Sequence, residues 1–314
     1  MISSGEIRNF LIYGVLLALV ATLPFWGQDY WLTIGVTIAS FAAMVTSWSI
    51  FSGPTHYISL STAAFFGVGT YTTALGIEYF PELPYWTLLV IAGGLGAVMA
   101  LLVGLTTLRL SGVYFVIFTL GLAELVRQVV TWLQNWSGQK GLYVLTDLGD
   151  REIYWQFIGL SVLVYIVGWL IQRSKVGLAL RVIGDDEDVA KHAGIHTSRL
   201  KVLLFMIPGA VAAIAGAILA PRYIYIEPML AFTPLLSFQV VIMALLGGTG
   251  RLWGGLIGVI PFVLVWEAIA ISMPNQTTLL LGVAFLVIVY FIPKGFVGIL
   301  LGLRRRMMSG GREG

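Results

Sequence analysis

Long apolar stretches separated by short polar ones run through almost the whole chain of 314 residues. A helix needs about 20 mostly apolar residues to cross the hydrocarbon core of a bilayer. The pattern therefore predicts an all-α polytopic membrane protein with about ten membrane segments, eight being the lower bound. The predicted spans are 10–26, 31–50, 54–78, 85–107, 111–133, 153–172, 200–220, 234–249, 254–273 and 276–302.

Two of these spans are unusual for simple membrane helices. Residues 54–78 are rich in serine and threonine. A helix over 234–249 would be only about 24 Å long, whereas the hydrocarbon core of a bilayer is about 30 Å thick. Interrupted helices at membrane depth are tolerated where they are buried in protein or line a cavity, which predicts a solute path. Close packing of helices through small residues explains the same composition. The candidate path residues are Ser59, Ser61, Thr62, Gly67, Gly69, Glu124, Gln239, Gly247 and Gly248.

The overall composition supports a membrane protein and limits what the chain does by itself. Hydrophobic residues make up 58% and charged residues 11%, against roughly 45–50% and 25% in soluble domains. The longest polar stretches, 134–152 and 173–201, are shorter than a soluble domain of about 50 residues. We therefore expect one transmembrane domain over 1–314, with no fused nucleotide-binding, catalytic or regulatory domain.

The basic residues predict how the chain lies in the membrane. Most of its 18 lysines and arginines fall on one side of the predicted spans, while aromatic residues such as Trp86 and Trp132 collect on the other side. Because positive residues are retained in the cytoplasm, both termini and the loop 173–201 are predicted to be cytoplasmic, and 134–152 external. This asymmetry explains the pI near 9.1 without a nucleic-acid partner.

Residues with catalytic or ligand-binding chemistry are few. The sequence has no cysteine, no hydrolase or zinc-protease motif and no P-loop, so we expect no enzyme activity, no metal site and no cofactor on this chain. Glu124 and Arg127 lie three residues apart and share a helix face. This pair is interpreted as a polar group near a solute path, as a structural ion pair, or as a pair at the outer interface.

The loop 173–201 carries the most informative polar pattern. Asp185 can cap a short helix, and Asp186 and Glu187 suit the positive N-terminus of that helix. Gly194 suits the left-handed conformation that follows a last helical turn. A short capped helix outside the membrane is typical of a segment that docks in a groove of another protein, although a solvated connector gives the same pattern.

The motifs of this loop and of four other regions resemble permease subunits of branched-chain amino acid ABC importers, in particular the LivM-type subunit. In the loop the resemblance lies in Leu180-Arg181-Val182-Ile183, the acidic cluster with Glu187, and Ala190-x-x-x-Gly194-Ile195, whereas Gly184 replaces an expected basic residue. The other regions are 58–71, 108–124, 245–254 and 293–296. Together they cover nearly the whole chain.

The resemblance implies a heteromeric importer in a bacterial or archaeal inner or plasma membrane. Its other parts would be a second homologous permease, two cytoplasmic ATPase subunits that bind ATP, and an extracytoplasmic solute-binding protein, with lipid around the membrane subunits. The residues implied in coupling to the ATPase are Arg181, Asp186, Glu187, Ala190 and Gly194.

The resemblance leaves the solute open on this scaffold. Branched-chain or other hydrophobic amino acids are expected first, with urea or short amides as alternatives. A stand-alone secondary transporter or channel is the alternative class, and it would explain the interrupted segments equally well.

Overall fold

The structure is a computed structural model that describes residues 29–108, 112–138 and 141–291, and, before them, residues 11, 12, 14, 15, 17–19, 21, 22 and 25. Helices make up almost all of this described part. They are α1 (Asp29–Thr55), α2 (Thr62–Tyr79), α3 (Tyr85–Thr107), α4 (Val113–Ser137), α5 (Asp150–Arg173), α6 (Lys175–Asp185), α7 (Glu187–His192), α8 (Thr197–Leu219), α9 (Pro228–Ala231), α10 (Pro234–Gly247), α11 (Gly254–Ser272) and α12 (Thr277–Phe291).

Seven helical stretches of the described part are long and apolar enough to cross a membrane. They are α1, α3, α4, α5, α8 with its continuation to Arg222, the stretch Pro228–Gly247, and α11. The described part of the chain is therefore almost entirely helical and has the helices expected of a multi-pass membrane protein, as predicted. The predicted span 10–26 lies largely outside the described residues, and the predicted span 276–302 is described only as far as Phe291.

The centre of the bundle is formed by α1 and α8, which pack against each other. The helix α8 also packs against α2 and α3, and both central helices pack against α5. Small residues allow these helices to approach closely. A Cβ atom added at Gly69 would lie 1.8 Å from the carbonyl oxygen of Ala213, and one added at Gly216 would lie 2.0 Å from that of Phe66. Backbone thus packs directly on backbone between α2 and α8.

The predicted span 54–78 is wrong in its boundaries, because the interruption lies between two helices. The helix α1 continues past the predicted end at residue 50 as far as Thr55, with Pro54 in its last turn. His56 then takes a φ of +57°, which ends the helix. Residues 56–61 are irregular, and α2 begins at Thr62.

The two ends of the bundle differ. At one end, the short strands β1 (Leu142–Tyr143) and β2 (Tyr225–Ile226) pair in antiparallel fashion. The predicted external loop 134–152 is shorter than expected, because α4 continues to Ser137 and α5 begins at Asp150. At the opposite end, the predicted loop 173–201 is largely helical and contains α6 and α7. We call this the α6–α7 end.

Candidate functional site

The irregular segment 56–61 is buried from Ser59 onward, and neighbouring helices satisfy its polar groups. The hydroxyl oxygens of Ser59 and Ser61 lie 2.7 Å apart, and the indole N–H of Trp48 donates to the carbonyl oxygen of Ser59 at 2.9 Å. The backbone N–H of Leu60 donates to Thr119 Oγ1 at 3.1 Å. An interrupted helix inside the bundle is stable because these partners replace the missing helical hydrogen bonds.

The second unusual segment, α10, joins this break directly. The hydroxyl of Ser237 in α10 accepts a 2.9 Å hydrogen bond from the backbone N–H of Ala63, in the first turn of α2 where Thr62 also lies. Gln239 is buried on the same short helix. The structure therefore brings together the two segments that the sequence singled out. Sequence reasoning missed Thr119 and Ser237, which are single hydroxyls on apolar helices.

The short helix α10 ends at a tight glycine turn. Its 14 residues span about 21 Å at 1.5 Å per residue, close to the predicted length. Gly248 has a φ of +95°, and a Cβ atom at Gly247 would lie 2.0 Å from the carbonyl oxygen of Gly254. These two predicted path residues thus let α11 pack against the end of α10.

Two other predicted path residues serve helix packing. Gly67 faces the ring of Phe232, and a Cβ atom there would lie 2.2 Å from the ring. Gly69 faces the backbone of Ala213, as described above. Close packing of small residues, the alternative explanation for the composition of 54–78, therefore accounts for both glycines.

Glu124 lies on α4 and makes its hydrogen bonds with neighbours on its own helix. Arg127 donates to both of its carboxylate oxygens, and Gln128 donates to it at 2.9 Å. The Glu124 side chain is 46% exposed. These hydrogen bonds are all within α4, so among the described residues the structure shows an intrahelical ion pair on the outside of the bundle.

The helix α7 is capped at both ends. Asp186 Oδ1 accepts from the backbone N–H groups of Asp188 at 2.8 Å and of Val189 at 3.1 Å. The cap is therefore Asp186, and the prediction of Asp185 was wrong by one residue because α6 continues through Asp185. Gly194 has a φ of +80°, the predicted left-handed conformation just past the helix.

The side chain of Glu187 is directed into the bundle. Lys201 Nζ lies 2.9 Å from both of its carboxylate oxygens, Tyr57 donates its hydroxyl at 2.9 Å, and Thr197 donates at 3.1 Å. We call these four residues the Glu187 cluster. It joins α7 to the start of α8 and, through Tyr57, to the irregular segment 56–61. Sequence reasoning missed Lys201, although a lysine at the start of an apolar helix is the signal that would have found it.

Burial and ion pairing act in opposite directions on Glu187. Burial alone would raise the pKa of its carboxyl group, but the hydrogen bonds from Lys201 and Tyr57 outweigh burial and lower that pKa below its usual value. The Lys201 side chain is only 2% exposed. Both groups are therefore held as an ion pair, and separating them would leave a buried charge without its partner.

The remaining coupling residues occupy different faces of this end. Ala190 is fully buried, so the face of α7 that carries it is packed on the bundle, while Val189 is 56% exposed. Arg181 lies on α6 and lines a cleft next to α5. A Cβ atom at Gly184 would lie 2.0 Å from the carbonyl oxygen of Pro54, so the direct contact of α6 with α1 has no room for the basic residue expected there.

Comparison with known proteins agrees with this architecture. The sequence model of the family described as "Branched-chain amino acid transport system / permease component" matches residues 30–290. The high-affinity branched-chain amino acid transport system permease protein LivM of Escherichia coli (strain K12) is 25% identical over 331 residues, which cover 94% of this chain and 76% of LivM.

Two further relatives match over shorter stretches. The permease protein LivH of the same transport system and organism is 28% identical over 149 residues, 47% of each chain. The L-arabinose transport system permease protein AraH of Escherichia coli (strain K12) is 33% identical over 117 residues, 37% of this chain and 34% of AraH. Because the family model covers most of the chain, this multi-pass membrane protein belongs to the family of permease components of branched-chain amino acid transport systems.

Proposed function

We propose that the chain is one of two permease subunits of an ATP-binding-cassette importer, driven by separate ATPase subunits. The observation that carries this proposal is the capped helix α7, which is fastened to the membrane bundle by a buried ion pair while one side of it stays exposed. A solvated connector needs no such attachment. A segment that transmits force from a partner protein does need one, because its motion has to reach the membrane helices.

The surface for the ATPase would be the exposed side of α7 and the turn that follows. Val189 and Lys191 are exposed there, whereas Glu187 and Ala190 face the bundle. We therefore assign contact with the ATPase to the exposed residues, and attachment of α7 to Glu187 and Ala190. Asp186 and Gly194 would shape the two ends of the segment. This placement makes the α6–α7 end cytoplasmic, in agreement with the distribution of basic residues.

The solute would be a branched-chain or other hydrophobic amino acid, with urea or a short amide as the alternative. Relatives named for this transport system support the amino acid, while the relative named for L-arabinose belongs to a system with a different solute. The path would run past the break at Ser59 and Ser61, where α2 and α10 meet. An extracytoplasmic binding protein would deliver the solute, and the second permease would form the other half of the path.

Reconstitution with its partners tests the proposal. The chain would be co-expressed with a candidate second permease, candidate ATPases and a candidate binding protein from the same genome, and leucine uptake would be measured in liposomes with and without internal ATP. ATP-dependent leucine uptake supports the proposal, and competition by excess urea would identify the alternative solute. Gradient-driven uptake by the purified chain alone would instead indicate a secondary transporter.

A pair of surface variants tests where the ATPase binds. Val189→Glu adds a charge to the exposed side of α7, whereas Ile224→Glu adds the same charge at an exposed apolar residue of the opposite end, where Ile224 is 71% exposed. We expect Val189→Glu to abolish co-purification of the ATPase and Ile224→Glu to leave it unchanged. Equal co-purification with both variants would exclude α7 as the docking segment.

A further inference from the structure

A cavity of about 520 Å³ opens at the α6–α7 end, between the end of α5 and the turn that leads into α11. Three arginines line it: Arg173 at the end of α5, Arg181 on α6, and Arg251 in the turn. None of the described residues that line this cavity is acidic. Guanidinium groups gathered around one opening raise the local concentration of anions.

The charges of two of these arginines are not neutralised by the contacts that the structure records. Arg181 donates to the carbonyl oxygens of Gly177 at 3.3 Å and of Gln172 at 3.5 Å. The guanidinium carbon of Arg251 lies 5.5 Å from the centre of the Trp253 ring. Within the described part of the chain, no carboxylate pairs with Arg181 or Arg251. The acidic residue Asp185 lines a neighbouring cavity that shares Arg181.

The position of the cavity indicates what it would bind. Trp169 lies one turn before the end of α5, and Trp253 directly precedes α11, so both rings lie where membrane helices end. Tryptophan prefers this level, at the boundary between hydrocarbon and headgroups. The turn packs on α5, since a Cβ atom at Gly168 would lie 3.0 Å from Leu252 Cδ1. The cavity is thus a cleft at the ends of two helices that are long and apolar enough to cross a membrane, which corresponds to the headgroup level.

We infer that this cavity is a binding site for the phosphate headgroup of an anionic phospholipid, such as phosphatidylglycerol. Guanidinium groups donate paired hydrogen bonds that match phosphate oxygens. Basic pockets between membrane helices on the cytoplasmic side are suited to anionic headgroups. The two tryptophans would contact the glycerol and the upper acyl chain. The inference depends on the membrane location of the chain, and it goes beyond the proposed transport function.

Lipid titration of the purified full chain tests the inference. After delipidation in detergent, native mass spectrometry would measure binding of phosphatidylglycerol, phosphatidylcholine and inorganic phosphate. We expect phosphatidylglycerol to bind about tenfold or more tightly than phosphatidylcholine, because hydrogen bonds to a charged group each contribute about this factor. Equal binding of the two lipids would overturn the inference, and so would inorganic phosphate binding as tightly as the lipid.

Arginine variants locate the site. The double variant Arg181→Gln/Arg251→Gln should lose the preference for phosphatidylglycerol, while Arg199→Gln, which removes a charge at the same end but outside the cavity, should retain it. Size-exclusion chromatography reports folding, and the single variants replace the double variant if it does not fold. Unchanged lipid binding in the folded variant overturns the inference. Loss of ATPase co-purification in that variant, with lipid binding unchanged, would assign the arginines to the protein partner instead.

Discussion

Lys201 Nζ lies 2.9 Å from both carboxylate oxygens of Glu187, although the two residues belong to different helices on either side of a turn. The ion pair fastens the short helix α7 to the first turns of the central helix α8. Tyr57 donates to the same carboxylate from the irregular segment beside Ser59. One carboxylate therefore joins the proposed docking helix, the centre of the bundle and the break between α1 and α2.

Removing the lysine should loosen α7. Lys201→Met keeps the length of the side chain but leaves Glu187 without its positive partner, and the lost charge-assisted hydrogen bonds are worth on the order of 2 kcal/mol. We expect a lower unfolding temperature in detergent and uptake reduced by about tenfold. Lys175→Met is the matched control, because Lys175 is an exposed lysine at the start of α6, outside the surface proposed for the ATPase, and exposed charges contribute little to stability. Equal effects of the two variants would contradict the role of the buried pair.

Tyr57 should transmit motion more than it contributes to stability. Tyr57→Phe removes only the hydroxyl group, so the ring can keep its contact with Lys201, whose Nζ lies 4.6 Å from the ring centre. We expect the complex to assemble and to hydrolyse ATP, but to transport fewer solute molecules for each ATP consumed. The measurement is the ratio of uptake to ATP hydrolysis in liposomes. An unchanged ratio would show that the hydroxyl group of Tyr57 has a structural role and does not couple ATP hydrolysis to uptake.

The Glu187 cluster should also make stability depend on pH. The pKa of Glu187 is lowered in the folded state, whereas an unfolded glutamate has a pKa of about 4.3. The ionised carboxylate therefore stabilises the fold above that ordinary value, and this contribution is lost as the pH falls through the lowered pKa. Unfolding temperatures measured between about pH 6 and pH 3 should fall more steeply for the wild type than for Glu187→Gln. Parallel curves would exclude this carboxylate as the cause.

The features that follow from local sequence could be predicted, and those that depend on distant partners could not. Proline and glycine mark the ends of α10, and acidic residues followed by Gly194 mark α7, because caps and turns act within a few residues. The direction of the Glu187 side chain depends on Tyr57, which is 130 residues away in sequence. No local periodicity encodes that contact.

The break between α1 and α2 illustrates the same limit at membrane depth. The serines and glycines around it indicated an irregular segment, but its position depends on a hydrogen bond donated by Trp48 and one accepted by Thr119. The glycines themselves have two explanations in sequence, a solute path or close packing. Only the neighbouring helices distinguish them, and at Gly67 and Gly69 these neighbours are Phe232 and Ala213.

The turn after α7 should require glycine. Gly194 has a φ of +80°, and an alanine in this left-handed conformation costs roughly 1–2 kcal/mol. Gly194→Ala should therefore distort the end of the docking segment, with weaker ATPase binding and little change in the amount of protein inserted in membranes. Gly250→Ala is the control, because Gly250 has an ordinary φ and open space around it. Co-purification of the ATPase would be compared for the two variants, and equal recovery would contradict the prediction.

The contact between α2 and α8 should tolerate no added side chain. A Cβ atom at Gly69 would lie 1.8 Å from the backbone oxygen of Ala213, so Gly69→Ala has to push the two helices apart. Overpacking of this kind typically costs about 1–3 kcal/mol, and the displacement would move the first turns of α2, which bond to Ser237. Gly94→Ala in α3 is the matched control, because nothing lies within 4 Å of its added Cβ. We expect Gly69→Ala to lower both the unfolding temperature and leucine uptake while Gly94→Ala changes neither. Wild-type stability of Gly69→Ala would show that α2 and α8 are not in direct backbone contact.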